Sequence, residues 1–206
     1  MQLPQFLHHP NAYALCFAQE DGVCDCCGET RAWHYQGPFY CVGDSPQFLC
    51  PWCIADGRAA ARFEGEFNDW AEIEGVSPNP DDAPPAIDAA LLQAICTRTP
   101  GYSAWQQPVW LSHCDQPCAF LGYAGGDDLA PILDEVMPDI VEVTPRDADW
   151  LLARLSRDGT LVGCLFRCLQ CGQHRLHVDM GWEAGTRGPG PGTRKSGPDP
   201  FFVQVG

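Results

Sequence analysis

Lysine is almost absent from this 206-residue chain: Lys195 stands alone, with eleven arginines against 27 aspartates and glutamates. Nucleic-acid-binding zinc domains cluster Lys and Arg to neutralise phosphate, so DNA and RNA are not expected ligands. Any run of about eighteen apolar residues is missing as well, which excludes a membrane-spanning helix. The opening stretch, Met1 to Pro10, is too short and too polar for a secretory leader. Nor are the thirteen cysteines spread through loops as in a secreted disulfide scaffold; most sit in pairs two or three residues apart. A cytoplasmic protein with reduced thiols is expected.

What the chain does contain is organised around Cys24-Asp25-Cys26-Cys27 and Cys50-Pro51-Trp52-Cys53. Two residues between thiolates let a tight turn aim both sulfurs at one tetrahedral ion, and two such pairs supply four ligands. Cys24, Cys27, Cys50 and Cys53 therefore read as a zinc site, with Cys26 a bystander. Between the pairs, Arg31 to Tyr35 and Phe39 to Val42 are strand-like, joined by the turn Gln36-Gly37-Pro38. After Cys53, apolar residues at Ala59, Ala60, Phe63, Phe67 and Trp70 predict one helix from Ile54 to about Trp70. That order is a treble clef, with a zinc ribbon as the nearest rival.

The segment 75–86, rich in proline and acid, reads as a linker between an N-terminal zinc module (1–74) and a C-terminal module (87–182). Residues 183–206, dominated by glycine and proline, read as a flexible tail. In the second module Ile87, Leu91, Ala94 and Ile95 predict a short helix stopped by Thr99-Pro100-Gly101, and Gly125-Gly126-Asp127 opens another, to about Val136. Thr144-Pro145 starts a third, with Trp150, Leu151 and Leu155 on one face. Leu161 to Phe166, then Cys168-Leu-Gln-Cys171, then His174 to Val178 form strand, knuckle and strand. The class is α+β.

A lone Cys-x-x-Cys needs a second pair. Cys114 and Cys118 are the nearest supply, so a second zinc is expected on Cys114, Cys118, Cys168 and Cys171, with His113 or His174 able to replace one thiolate. The alternative is that Cys114 and Cys118 are small buried hydrophobes. Cys16, Cys41, Cys96 and Cys164 read as core residues.

Three enzymatic readings compete. Cys50-Pro-Trp-Cys53 at a helix start resembles a glutaredoxin-like redox pair, but a second pair at ligand spacing favours coordination. Cys27-Gly28-Glu29 with the later cysteine pair mimics a zinc deaminase, yet Pro51 follows its cysteine instead of preceding it, and Cys24 fills the position a catalytic zinc leaves to water. For a hydrolase, no motif brings His34, His113 or His174 to a nucleophile. A non-enzymatic role is expected.

Taken together, Leu3 to Pro10, Gly37-Pro-Phe-Tyr40, Leu49 to Gly57, Arg98-Thr-Pro-Gly-Tyr102, Trp110-Leu-Ser-His-Cys114, Pro117-Cys-Ala-Phe120, Gly122-Tyr123 and Leu165-Phe-Arg-Cys168 resemble the bacterial CbrC family over residues 3–179. That family is associated by name with tolerance to a nuclease colicin. The resemblance implies an immunity or tolerance factor, with no catalytic residues to carry over. Charge suits it: the net is −15, and 21 acidic residues against five arginines put −16 on residues 1–146. An acidic inhibitor captures a basic toxin quickly by electrostatic steering. Contact residues are expected among Asp44, Glu64, Glu66, Asp69, Glu72 and Glu74.

Overall fold

The computed structural model describes residues 2–79, 81–145 and 147–181. Its N-terminal part holds α1 (Ala12–Leu15), β1 (Phe17–Ala18), β2 (Gly22–Val23), β3 (Thr30–Arg31), β4 (His34–Tyr35), β5 (Tyr40–Cys41), α2 (Pro51–Ala55), α3 (Arg58–Phe63) and β6 (Gly65–Glu66). The strands form three antiparallel two-residue ladders, β1 with β4, β2 with β3 and β5 with β6. Ladders this short hold little by themselves. The Cys24, Cys50 and Cys53 side chains lie inside the same core as Phe6, Phe17, Tyr35, Ile54 and Phe67, where aromatic rings pack in sequence; Phe17 and Tyr35 sit 5.3 Å apart by centroid.

Two local expectations fail here. Tyr35 and Tyr40 lie on strands that pair with β1 and β6, so the runs flanking Gly37 do not form a hairpin with each other. The Tyr35 hydroxyl donates to the Pro38 carbonyl and accepts from the Gly101 amide, and its ring occupies the space a side chain at Gly37 would need. The single helix from Ile54 to Trp70 is instead two short ones. Gly57 at φ +81° separates them and Glu64 at φ +47° ends the second, because left-handed residues cannot continue a right-handed helix. Phe67 is buried from beyond β6, and Trp70 is 45% exposed.

The C-terminal part runs α4 (Ala89–Arg98), β7 (Ser112–His113), β8 (Gln116–Pro117), β9 (Ala119–Ala124), α5 (Gly126–Leu129), α6 (Leu133–Val143), α7 (Ala148–Leu152), β10 (Leu161–Arg167) and β11 (His174–Met180). Asp88 caps α4 by accepting from the Ala90 and Leu91 amides. β10 and β11 pair as antiparallel neighbours, as the strand-knuckle-strand pattern predicts, and β9 completes a sheet of order β11-β10-β9. Packed on β11, α6 buries Val136 and Ile140. α7 begins three residues beyond Pro145, and Trp150 points outwards while Leu151 and Leu155 are buried. The class is thus α+β with small sheets.

Several hydrogen bonds join the two parts. Trp110 donates to the Glu72 carbonyl and Glu74 donates to the Trp110 carbonyl, both at 2.9 Å, around a parallel bridge between Ile73 and Trp110. Phe67 donates to the Cys96 carbonyl at 2.7 Å, and Phe120 to the His8 carbonyl at 2.8 Å. The expected tail, 183–206, lies outside the described residues. Among those described, no helix is long and apolar enough to cross a membrane.

Candidate metal centres

Both centres are built on the same turn. In Cys24 to Glu29, the Gly28 amide donates to the Cys24 carbonyl at 2.7 Å and the Cys24 amide to the Glu29 carbonyl at 3.0 Å. In Cys168 to Gln173, the Gly172 amide donates to the Cys168 carbonyl at 3.0 Å and the Cys168 amide to the Gln173 carbonyl at 2.8 Å. Each glycine is left-handed, at φ +73° and +81°. This closure presents the two thiols of each Cys-x-x-Cys to one point.

At the first centre the Sγ atoms of Cys24, Cys27, Cys50 and Cys53 all lie within 4.8 Å of one another. Cys50 is the residue before α2 and Pro51 occupies its first turn, an arrangement that needs no amide from Pro51 and brings Cys53 round to the same side. Cys24 Sγ stands 4.0 Å from Cys53 Sγ and accepts from the Cys50 amide at 3.4 Å. An ion with Zn–S bonds of 2.3 Å sets its sulfurs about 3.8 Å apart, so the edge fits. Hydrogen bonding from the Cys50 thiol, with amides of the turn, lowers the Cys24 thiol to about 4, while the Cys50 and Cys53 thiols are pushed up, Cys50 chiefly by its bond to Cys24 and Cys53 by burial. A divalent cation is what would let all four ionise together in a dry site. Cys26 is buried beside this group and outside it. Glu29, the residue a deaminase reading would need facing the ion, pairs with Arg31 at 2.5 Å and is largely exposed.

The second centre gathers His113, Cys114, Cys168 and Cys171, again within 4.8 Å. Cys114 and Asp115 form the two-residue turn between β7 and β8, both at φ +54°, the conformation such a hairpin demands. His113 Nδ1 lies 3.2 Å from Cys114 Sγ and 3.3 Å from Cys171 Sγ, and the two sulfurs are 3.7 Å apart. The sulfur–sulfur separation matches the roughly 3.8 Å edge of a zinc tetrahedron, and the His113 nitrogen lies slightly inside the roughly 3.5 Å expected between a nitrogen and a sulfur on one ion. Burial raises the Cys168 thiol, but amides of Cys171 and Gln170 and the His113 contact outweigh it and bring it to about 6. Hydrogen bonding to Cys171 raises Cys114 to about 11.

Cys118 does not join this group; His113 stands in the fourth position. From the turn the chain runs extended, and at about 3.3 Å per residue Cys118 is carried roughly 10 Å away into the core. It is 0% exposed beside Phe120 and Phe166, its carbonyl accepts from Trp110 Nε1 at 2.9 Å, and burial pushes its thiol up to about 12. His174 is engaged elsewhere: its Nδ1 and its amide both meet Glu135 Oε2, at 3.0 and 2.8 Å, which holds that carboxyl below its usual range. Cys16, Cys96 and Cys164 are buried, as expected, and Cys41 is half-buried.

The six acidic residues expected to meet a partner sit in different environments. Asp44 and Glu64 are exposed; Glu66 lies on β6, where burial raises its carboxyl; Asp69 caps the Ala71 amide at 2.9 Å. Glu74 is bound internally, accepting from Arg175 at 3.0 and 3.1 Å and from the Ser112 amide at 2.8 Å. Arg175 also meets Asp139 and the Ser112 carbonyl, so all its donors are used. This network, invisible to sequence pattern because its members are far apart in the chain, floors a cleft of about 380 Å³ that Glu72, Glu142, Val76 and Val143 border.

A family model described as uncharacterised protein family UPF0167 matches residues 3–180. The chain belongs to UPF0167. UPF0167 proteins of Mycobacterium bovis and Mycobacterium tuberculosis are each 37% identical over 189 residues, covering 87% of this chain and 94% of theirs. A UPF0167 protein of Pseudomonas aeruginosa is 35% identical over 183 residues, 86% of this chain and 97% of its own. No solved structure matches. Both cysteine clusters fall inside the UPF0167 match.

Proposed function

We propose that this protein binds zinc at both centres and acts without catalysis, as a metal-stapled scaffold that captures a basic protein through its acidic surface. The observation that carries the metal reading is the placement of four sulfurs within 4.8 Å, three of them buried, at the first centre. Thiolates together with imidazole suit zinc over harder cations. Filling all four positions with protein ligands leaves none for a substrate, which is the mark of a structural ion.

The partner reading rests on charge and on the likeness to the CbrC family. A chain with −16 over residues 1–146 attracts cationic surfaces and repels nucleic acid and other polyanions. Exposed Asp44 and Glu64, with the cleft bordered by Glu72 and Glu142, offer places for Lys or Arg side chains. A toxin of the nuclease type is the partner this chemistry fits. One test combines native mass spectrometry of the purified protein with capture of a colicin-type nuclease domain at low and high salt. Two zincs and a complex that weakens with salt are expected; an absence of any salt-sensitive complex would sink the steering argument. A second reading, a thiol redox factor, draws on Cys114 and Cys171, exposed and 3.7 Å apart. Metal-free protein with a titratable low-pKa thiol would favour it.

A further inference from the structure

The two centres share a turn but differ in what surrounds it. At the first, Cys24, Cys50 and Cys53 are completely buried within an aromatic core, Cys27 is half-buried and no ligand is exposed. At the second, only Cys168 is buried; Cys114 and Cys171 are exposed and His113 half-buried. We propose that the second centre is an exchangeable zinc site of His113, Cys114, Cys168 and Cys171, whose ion enters and leaves across the solvent-facing Cys114–Cys171 edge while the first ion stays sealed. The inference rests on the zinc reading above.

Zinc carries no directional preference from its d electrons and passes readily through five-coordinate arrangements. An incoming donor therefore exchanges by approaching the ion first and displacing a ligand afterwards, which needs one open side. The Cys114–Cys171 edge supplies it. A displaced thiolate stays ionised or takes up the proton that the incoming thiol gives up on binding, the ion leaves with the incoming ligand, and nothing is oxidised. Thiol- and imidazole-bearing chelators, or a protein offering such groups, are the exchange partners this edge admits. Asp115, exposed beside Cys114 at the turn, adds a negative charge where a cation would approach.

The fold around the second centre has other ties that survive departure of the ion. Gln116 Nε2 donates to Gln170 Oε1 at 2.7 Å, joining hairpin to knuckle, and Arg175 Nη1 donates to the Ser112 carbonyl at 2.7 Å at the hairpin's base. Around the first centre every strand is two residues long and three of the four thiols belong to the core. At the second only the β7–β8 hairpin is that short, the knuckle is carried by the seven-residue strands β10 and β11, and Cys168 alone of the ligands lies in the core. Exchange without unfolding is thus open to one centre only.

The test is zinc release from the intact full-length protein into excess 4-(2-pyridylazo)resorcinol, without denaturant. Two equivalents should leave in two phases, the first at least tenfold faster than the second. Cys171→Ser and His113→Ala should each abolish the fast equivalent, keeping the slow one and the circular dichroism spectrum; Cys118→Ala should keep both. Two equivalents leaving in a single phase, or a fast phase that survives Cys171→Ser, would overturn exchangeability and leave the zinc reading standing. Protein purified with zinc-free thiols at both centres would overturn the zinc reading itself.

Discussion

Gly28 and Gly172 occupy the same position in two copies of one turn, each left-handed and each donating its amide to the carbonyl of the cysteine four residues earlier. A methyl group at Gly28 would touch nothing within 4 Å, and at Gly172 only the end of the Arg167 side chain. Substitution at Gly28 is therefore a pure backbone experiment.

Gly28→Ala should cost about 1 to 2 kcal/mol, the usual penalty for a side chain in the left-handed region, and Gly28→Asn much less. For a chain of this size that is a fall in Tm of about 2–4 °C per kcal/mol, measured by calorimetry on zinc-loaded protein. Equal stability of the alanine and glycine forms would show that the turn does not control the centre.

Cys50→Ser removes a buried ligand from the first centre. Structural zinc contributes on the order of 10 kcal/mol, as much as a whole domain's stability. The variant should lose the tertiary signal of its N-terminal aromatics in near-ultraviolet circular dichroism. A variant that stays folded in chelator would refute the staple.

Arg175 is only partly exposed and its partner Asp139 is 10% exposed. Arg175→Ala leaves Asp139 and Glu74 facing each other without a counter-charge, a loss of about 3 kcal/mol by comparison with other broken partly buried pairs. A shift in urea midpoint reports it, and Arg175→Ala combined with Asp139→Asn and Glu74→Gln should recover part of it.

His9 is fully buried, its Nδ1 donates to the Pro100 carbonyl at 2.8 Å, and burial lowers its pKa to about 4. Its folded pKa lies below the unfolded value of about 6.5, so the unfolded chain binds the proton first and stability falls as pH drops from about 6.5 towards 4. At pH 5.5 this single group should cost about 1.2 kcal/mol relative to pH 7. His9→Gln should flatten that part of the pH profile; an unchanged slope would show that other groups, such as His8 and His177, whose pKa values burial also lowers, carry it.

The first centre was legible because its four ligands belong to two local motifs, and a C-x-x-C-G turn encodes its own geometry. The second was legible only in part. Choosing between His113 and Cys118 depends on the hairpin turn at Cys114 and Asp115, and two non-glycine left-handed residues give no compositional warning. The division of the Ile54 to Trp70 segment turned on Gly57 and Glu64, where backbone handedness overrode an apolar period that remained intact. Glu74 looked like a free surface acid because Arg175, which binds it, lies 101 residues further along.

The bridge between Ile73 and Trp110, with amides donated from Trp110 to Glu72 and from Glu74 to Trp110, sits immediately before the proline-rich segment 75–86. The segment leaves from this stitched seam, and Ile87, just past its other end, is buried in the same core as Ile73 and Trp110, so cleavage within it would sever a loop. A nick by a protease there should give two fragments that elute as one species under native conditions and separate only in denaturant. Expressed as separate chains, the same halves should find each other and restore a single particle.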